Sequence, residues 1–83
     1  MYKVYVLKSL SAAKSYTGIT DNIERRIVEH NSGKHFYTKR YTPWRVLYTE
    51  ELLDRVAARK REKYLKSASG RRFLEKIFMQ KEE

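Results

Sequence analysis

Two tyrosines, an arginine, a histidine and a glutamate are the side chains of this 83-residue chain whose types and spacing could do chemistry. They are Tyr5 in Val4-Tyr5-Val6, Tyr16 in Tyr16-Thr17-Gly18, Arg26 and His30 four positions apart, and Glu62 after Ala57-Ala58-Arg59-Lys60-Arg61. A guanidinium can grip two phosphate oxygens in a planar fork, which a lysine cannot copy. Phenol and imidazole can hold or move a proton. A lone carboxylate can bind Mg²⁺ or Mn²⁺ if waters and phosphate complete the shell. The set can therefore handle a phosphate without a thiol or an organic cofactor. A phenol of ordinary pKa, about 10, is a poor base at neutral pH, so it needs a metal or positive charge close by, with Lys8, Lys14 and Arg26 as candidate suppliers.

The composition fits such a substrate. Lys and Arg number 19 against 10 Asp and Glu, a formal charge of +9, and so large an excess on a small domain favours a polyanionic partner, with nucleic acid foremost. Charge does not separate DNA from RNA. With 41% apolar residues the chain is expected to fold as one domain over residues 1–83, with room for one modest core. It has no cysteine, which removes disulfides and thiolate metal sites and agrees with a reducing compartment. No apolar run approaches the ~20 residues of a membrane span, and no leader is read at the start, so the expected location is the cytoplasm.

The elements that must position these residues follow from periodicity and punctuation. Tyr2–Leu7 is β-branched and aromatic, as a buried strand requires, and a short polar loop over Ser9–Lys14 leads to a second strand at Ser15–Ile19. Asp21 or Asn22 can cap a helix with Ile23 and Ile27 on its core side, ending near Asn31-Ser32-Gly33. Lys34–Arg45 is irregular, rich in bases and rings, and Pro43 forbids helix before Trp44. Val46–Tyr48 reads as a third strand. Asp54 can cap a second helix reaching about Lys66, with Ala57, Ala58, Tyr64 and Leu65 inward. Ser69 and Gly70 interrupt it, and Phe73, Leu74, Ile77 and Phe78 mark a third amphipathic helix. The order β-β-α-β-α-α predicts an α+β fold, a small antiparallel three-stranded sheet flanked by helices.

On paired strands Tyr5 and Tyr16 fall on one side of the sheet, where they are either core tyrosines or site groups. Gly18 reads as the glycine of a turn at positive φ, compatible with close approach to a phosphate. Arg26 and His30 share a helix face. His30 could bond a phosphate, orient a tyrosine, or simply favour the helix C-terminus as a cation. Glu62 lies at the edge of the inward face, a metal ligand or the partner of Arg59 or Lys66. In the basic loop, Lys34, Thr38, Lys39 and Arg40 are candidate contacts to a nucleic-acid backbone, with rings between them for stacking, and Arg59 extends that footprint.

Val4-Tyr5-Val6, Tyr16-Thr17-Gly18 and the string Asp21 to Asn31 with Arg26 and His30, followed by Thr42-Pro43-Trp44 and a helical Glu62, resemble the GIY-YIG endonuclease superfamily. The similarity is greatest to its small stand-alone bacterial members and spans nearly the whole chain. It implies a Mg²⁺- or Mn²⁺-dependent endonuclease on DNA, in which Tyr5 assists deprotonation of water, Tyr16 positions water or phosphate, Arg26 steadies charge at phosphorus and Glu62 holds the metal. A role in DNA repair or processing, a preference for DNA shape over sequence and a repair-protein partner are expected with it. The alternative is a binding module of weak catalysis, or a nuclease active only with a partner. Two departures stand out: no Gly precedes Val4, and no Asn follows Glu62, the region holding Ser67, Ser69 and Arg71 instead.

Overall fold

The computed structural model describes residues 1–82. Strand β1 (Tyr2–Ser9) lies at the centre of a three-stranded antiparallel sheet of order β2-β1-β3, between β2 (Ser15–Thr20) and β3 (Trp44–Leu52). Helix α1 (Ile23–Asn31) and a 3-10 turn (Thr38–Tyr41) precede β3, and α2 (Arg55–Lys66) and α3 (Ala68–Glu82) follow it. The order is β-β-α-β-α-α, as the sequence predicts. No helix among the described residues is long and apolar enough to cross a membrane.

A central strand must be apolar on both faces. Val4, Tyr5, Val6 and Leu7 accordingly have no exposed surface at all. Val4 and Val6 point to one face, where Ala58 and Leu65 of α2 and Leu74 of α3 pack on them. Tyr5 and Leu7 point to the other, with Trp44, Tyr16 and the α1 residues Ile23 and Ile27. Each such side chain contributes about 1.5–3 kcal/mol of burial.

Local chemistry sets the helix ends. The Asn22 side chain accepts from Arg25 N at 3.1 Å, and that of Asp54 accepts from Ala57 N at 2.9 Å. Such caps are each worth about 1 kcal/mol. Gly33, at φ +84°, supplies the left-handed residue that closes α1. Asn31, the last residue of α1, then clamps the backbone of Trp44, accepting from its N at 2.6 Å and donating to its carbonyl at 3.1 Å. This fixes the end of the site helix to the start of β3, just past the cis Thr42–Pro43 bond.

Three local expectations are corrected. The break between α2 and α3 falls at Ser67, whose hydroxyl accepts from Gly70 N, while Ser69 and Gly70 lie inside α3. Tyr64 points outward, 39% exposed, its ring under the Arg61 guanidinium. Gly18 is not a turn residue: it sits inside β2 opposite Tyr5, and Gly33 is the glycine of positive φ.

Gly70 is buried against the last turn of α2, and a Cβ there would collide with the Tyr64 carbonyl and the Leu65 backbone. Backbone cannot swing aside as a side-chain end can. Gly70→Ala should therefore lower stability by at least about 1–3 kcal/mol, the usual cost of overpacking, in urea unfolding followed by circular dichroism.

Candidate active site

The sheet's register brings the two tyrosines together. Tyr5 pairs with Gly18 and Leu7 with Tyr16, so both phenols stand on the α1 face, ring centroids 6.2 Å apart. A Cβ on Gly18 would come within 2.6 Å of the Tyr5 hydroxyl and 3.1 Å of the Tyr16 ring. Glycine is needed here because the tyrosines occupy its side-chain space, a reason invisible in a turn reading.

His30 completes the cluster. It is fully buried, with Nε2 3.0 Å from Tyr5 Oη and Nδ1 2.8 Å from Thr38 Oγ1. Burial, reinforced by the neighbouring His35 and Arg26, lowers its pKa from 6.5 to about 4, so the imidazole is neutral near pH 7. A neutral ring gains nothing from the helix C-terminus as a cation, and a fully buried one is shielded from a phosphate; its Nε2 meets the Tyr5 hydroxyl. The tautomer follows from the partners. Arg26 offers Tyr5 only donors, so the Tyr5 hydroxyl donates to Nε2, and Nδ1–H donates to Thr38. Thr38 is fully buried, its carbonyl accepting from Trp44 Nε1 at 2.7 Å. It holds the imidazole from behind, which corrects its reading as a surface phosphate contact.

Arg26 borders the same cluster, its side chain 25% exposed, with Nη1 donating to Glu29 Oε1 at 3.0 Å. Its Nε is buried and has no hydrogen-bond partner. Burial raises the Tyr5 pKa, with the Arg26 guanidinium pulling the other way and the charges of Tyr16 and Glu62 adding to the rise. Tyr5 is therefore a neutral phenol near pH 7, shielded from water, whereas Tyr16 is half-buried and faces an open hollow.

Glu62 lies on α2, which packs against β1 and β2, and is 8% exposed. Both partners weighed from the sequence are present: Arg59 Nη1 at 3.5 Å and Lys66 Nζ at 3.1 Å. Arg59 is thus an ion-pair partner in this state, with more than half of its side chain exposed. Among the described residues no group of three or more His, Cys, Asp or Glu is arranged to hold a metal. Of the other acids, Glu50 bonds Tyr48 and Arg61, and Asp54 caps α2. Lys34, Lys39 and Arg40 are exposed in the loop, the last two flanking the exposed ring of Phe36 at 5.1 and 5.2 Å.

Sequence reasoning missed Glu29, which holds Arg26, and His35, whose ring stacks on His30 at 4.3 Å. The i, i+3 spacing of Arg26 and Glu29 was a usable signal. For His35 there was none, because the loop's path is set by Trp44 and Asn31.

A family model of the GIY-YIG catalytic domain matches residues 1–76. The chain is 43% identical over 67 residues to a UPF0213 protein of Natronomonas pharaonis, covering 80% of this chain and 78% of that one. It is 37% identical over 70 residues to a UPF0213 protein of Halobacterium salinarum, covering 83% and 90%. The solution NMR structure of a UPF0213 protein from Bacillus halodurans superposes with a TM-score of 0.55 at 30% identity, covering 94% of this chain and 83% of that one.

The buried imidazole has a consequence for stability. The unfolded chain takes up a proton near pH 6.5 that folded His30 refuses until about pH 4, so stability falls as pH drops through that window. The loss amounts to roughly 3 kcal/mol at most. His30→Gln, neutral throughout, should show a flatter dependence between pH 6.5 and 4 in urea titrations; an unchanged slope would place the titration elsewhere.

Proposed function

The chain belongs to the GIY-YIG family, a family of nucleases, and on that footing we propose that it is a metal-dependent endonuclease hydrolysing DNA phosphodiester bonds. The observation that carries this reading is the buried Arg26 Nε without an acceptor, beside a tyrosine backed by a neutral histidine. A buried donor left unpaired costs free energy and calls for an explanation. A phosphate oxygen would supply the missing acceptor.

When a phosphate draws Arg26 onto it, the Tyr5 hydroxyl beneath is uncovered. Tyr5 then assists deprotonation of the water, its hydroxyl held in line by the hydrogen bond to His30 Nε2, and Thr38 fixes that neutral ring through Nδ1–H. Tyr16, at the open side, orients the water or the phosphate. Arg26 offsets the charge that grows on the phosphoryl oxygens, an interaction stronger in the transition state than before it. Glu62 fits a hard cation as a single carboxylate with an incomplete shell, since the side chains that now engage it are exposed and can swing away. Mg²⁺ or Mn²⁺ bound there would stabilise the leaving oxygen. Lys34, Lys39, Arg40 and Arg59 would track the backbone. Selection by DNA shape over sequence and a role in cytoplasmic repair or processing belong to the same reading, with RNA as the substrate to be tested beside DNA.

The second reading, a binding module of weak turnover or a nuclease that needs a partner protein, draws on the missing Asn after Glu62 and on the ion pairs that occupy that carboxylate.

Incubation of the protein with flap, single-stranded and supercoiled DNA, and with RNA, in Mg²⁺, Mn²⁺ or EDTA decides between them. Metal-dependent cleavage should fall at least about 100-fold in Arg26→Ala and Glu62→Gln with folding and binding kept. Tight binding without cleavage under either metal would establish the second reading. Among active variants, Tyr5→Phe should lose the alkaline limb of the pH–rate profile that Tyr16→Phe keeps.

A further inference from the structure

Most arginines here are spent on internal partners; Arg45, Arg55 and Arg71 are not, and of these Arg55 and Arg71 line hollows beside β2. Both are exposed, and neither side chain makes a hydrogen bond, ion pair or ring contact among the described residues. Each lines its own hollow, and the two hollows lie at opposite ends of β2. At the start of β2 a cavity of about 360 Å³ is bounded by Tyr16, Thr17, Tyr37, Lys66 and Arg71. At its end a cavity of about 270 Å³ is bounded by Thr20, Asp21, Arg25, Arg26 and Arg55. The acid in the second is already neutralised, Asp21 being paired with Arg25 at 3.3 Å.

The strand between them is an edge strand, and its length can be compared with a nucleic-acid backbone. From Tyr16 to Thr20 is four residues, about 13 Å at the rise of a strand. Phosphates of one nucleic-acid strand advance about 3.4 Å per nucleotide along the axis and wind about it, so neighbours lie roughly 6–7 Å apart. Two phosphodiester steps therefore span the two hollows. Midway stands Gly18, where Tyr5, Tyr16 and Arg26 converge.

We propose that the edge of β2 carries a three-phosphate stretch of one nucleic-acid strand, with Arg71 and Lys66 holding the phosphate on one side of the central one and Arg55 the phosphate on the other. Tyr37, its ring 6.3 Å from that of Tyr16, offers a stacking face in the first hollow. The assignment rests on the nuclease reading for the central phosphate and adds the register of the strand.

The test separates register from catalysis. Labelled single-stranded and duplex oligodeoxynucleotides of equal length are titrated with protein in EDTA across a salt series, using fluorescence anisotropy. Arg55→Ala and Arg71→Ala should each weaken binding several-fold and reduce the slope of log K against log salt by about 0.7 on single strands or 0.9 on duplex. The double variant should lose both increments, and circular dichroism should show all variants folded. Lys76→Ala, an exposed cation on α3 outside both hollows, is the charge-matched control. A slope in either arginine variant no different from Lys76→Ala, or no binding by the wild-type protein, overturns the register. Reduced slopes without metal-dependent cleavage by the wild type would uphold the register and sink the nuclease reading; cleavage with unchanged slopes would do the reverse.

Discussion

A hydrogen-bonded file of three buried side chains, Tyr5 to His30 to Thr38, is the constraint around which the rest is arranged. Polar groups without water must satisfy one another or cost several kcal/mol. That demand fixes much at once. Tyr5 must sit on the central strand, Gly18 must leave room beside it, and α1 must end where His30 can reach inward. The 3-10 turn must deliver Thr38 to the far side of the ring, which Trp44 and Asn31 secure by bonding to that turn and to each other. The chain gains a neutral imidazole held between Tyr5 and Thr38.

The remaining charges divide by function. Glu29, Glu50 and Glu62 each engage a cation inside the molecule, and Arg61 is held both by Glu50 and by the rings of Tyr64 and Phe73. Among the described residues Arg55 and Arg71 have no side-chain partner, and they line the hollows at the two ends of the β2 edge. An ion pair half-exposed to solvent adds little stability. The Arg59 and Lys66 contacts to Glu62 are of that kind, each cation being more than half exposed.

Much of this was legible in the sequence, for physical reasons. The strands of β1 and β2, the caps at Asn22 and Asp54 and the stripe of α1 are local signals, and they were read from residue type and period. The pairing of both tyrosines on one face followed from the period of two. What escaped depends on distant partners. Gly18 is glycine because Tyr5, thirteen positions earlier, fills its space. Thr38 looked like one more polar residue in a basic loop, and only the position of His30 buries it. The break at Ser67 and the burial of Gly70 come from the packing of α3 on α2, and the outward turn of Tyr64 from the Arg61 guanidinium over its ring.

The central claim, a neutral His30 that accepts the Tyr5 hydrogen bond, is open to one direct measurement. Nitrogen-15 NMR of the imidazole across pH reports its charge and its tautomer together. The account predicts a neutral ring protonated on Nδ1, holding that form from pH 8 down to about 4. A ring protonated on Nε2, or one that titrates at its ordinary value of 6.5, would contradict it.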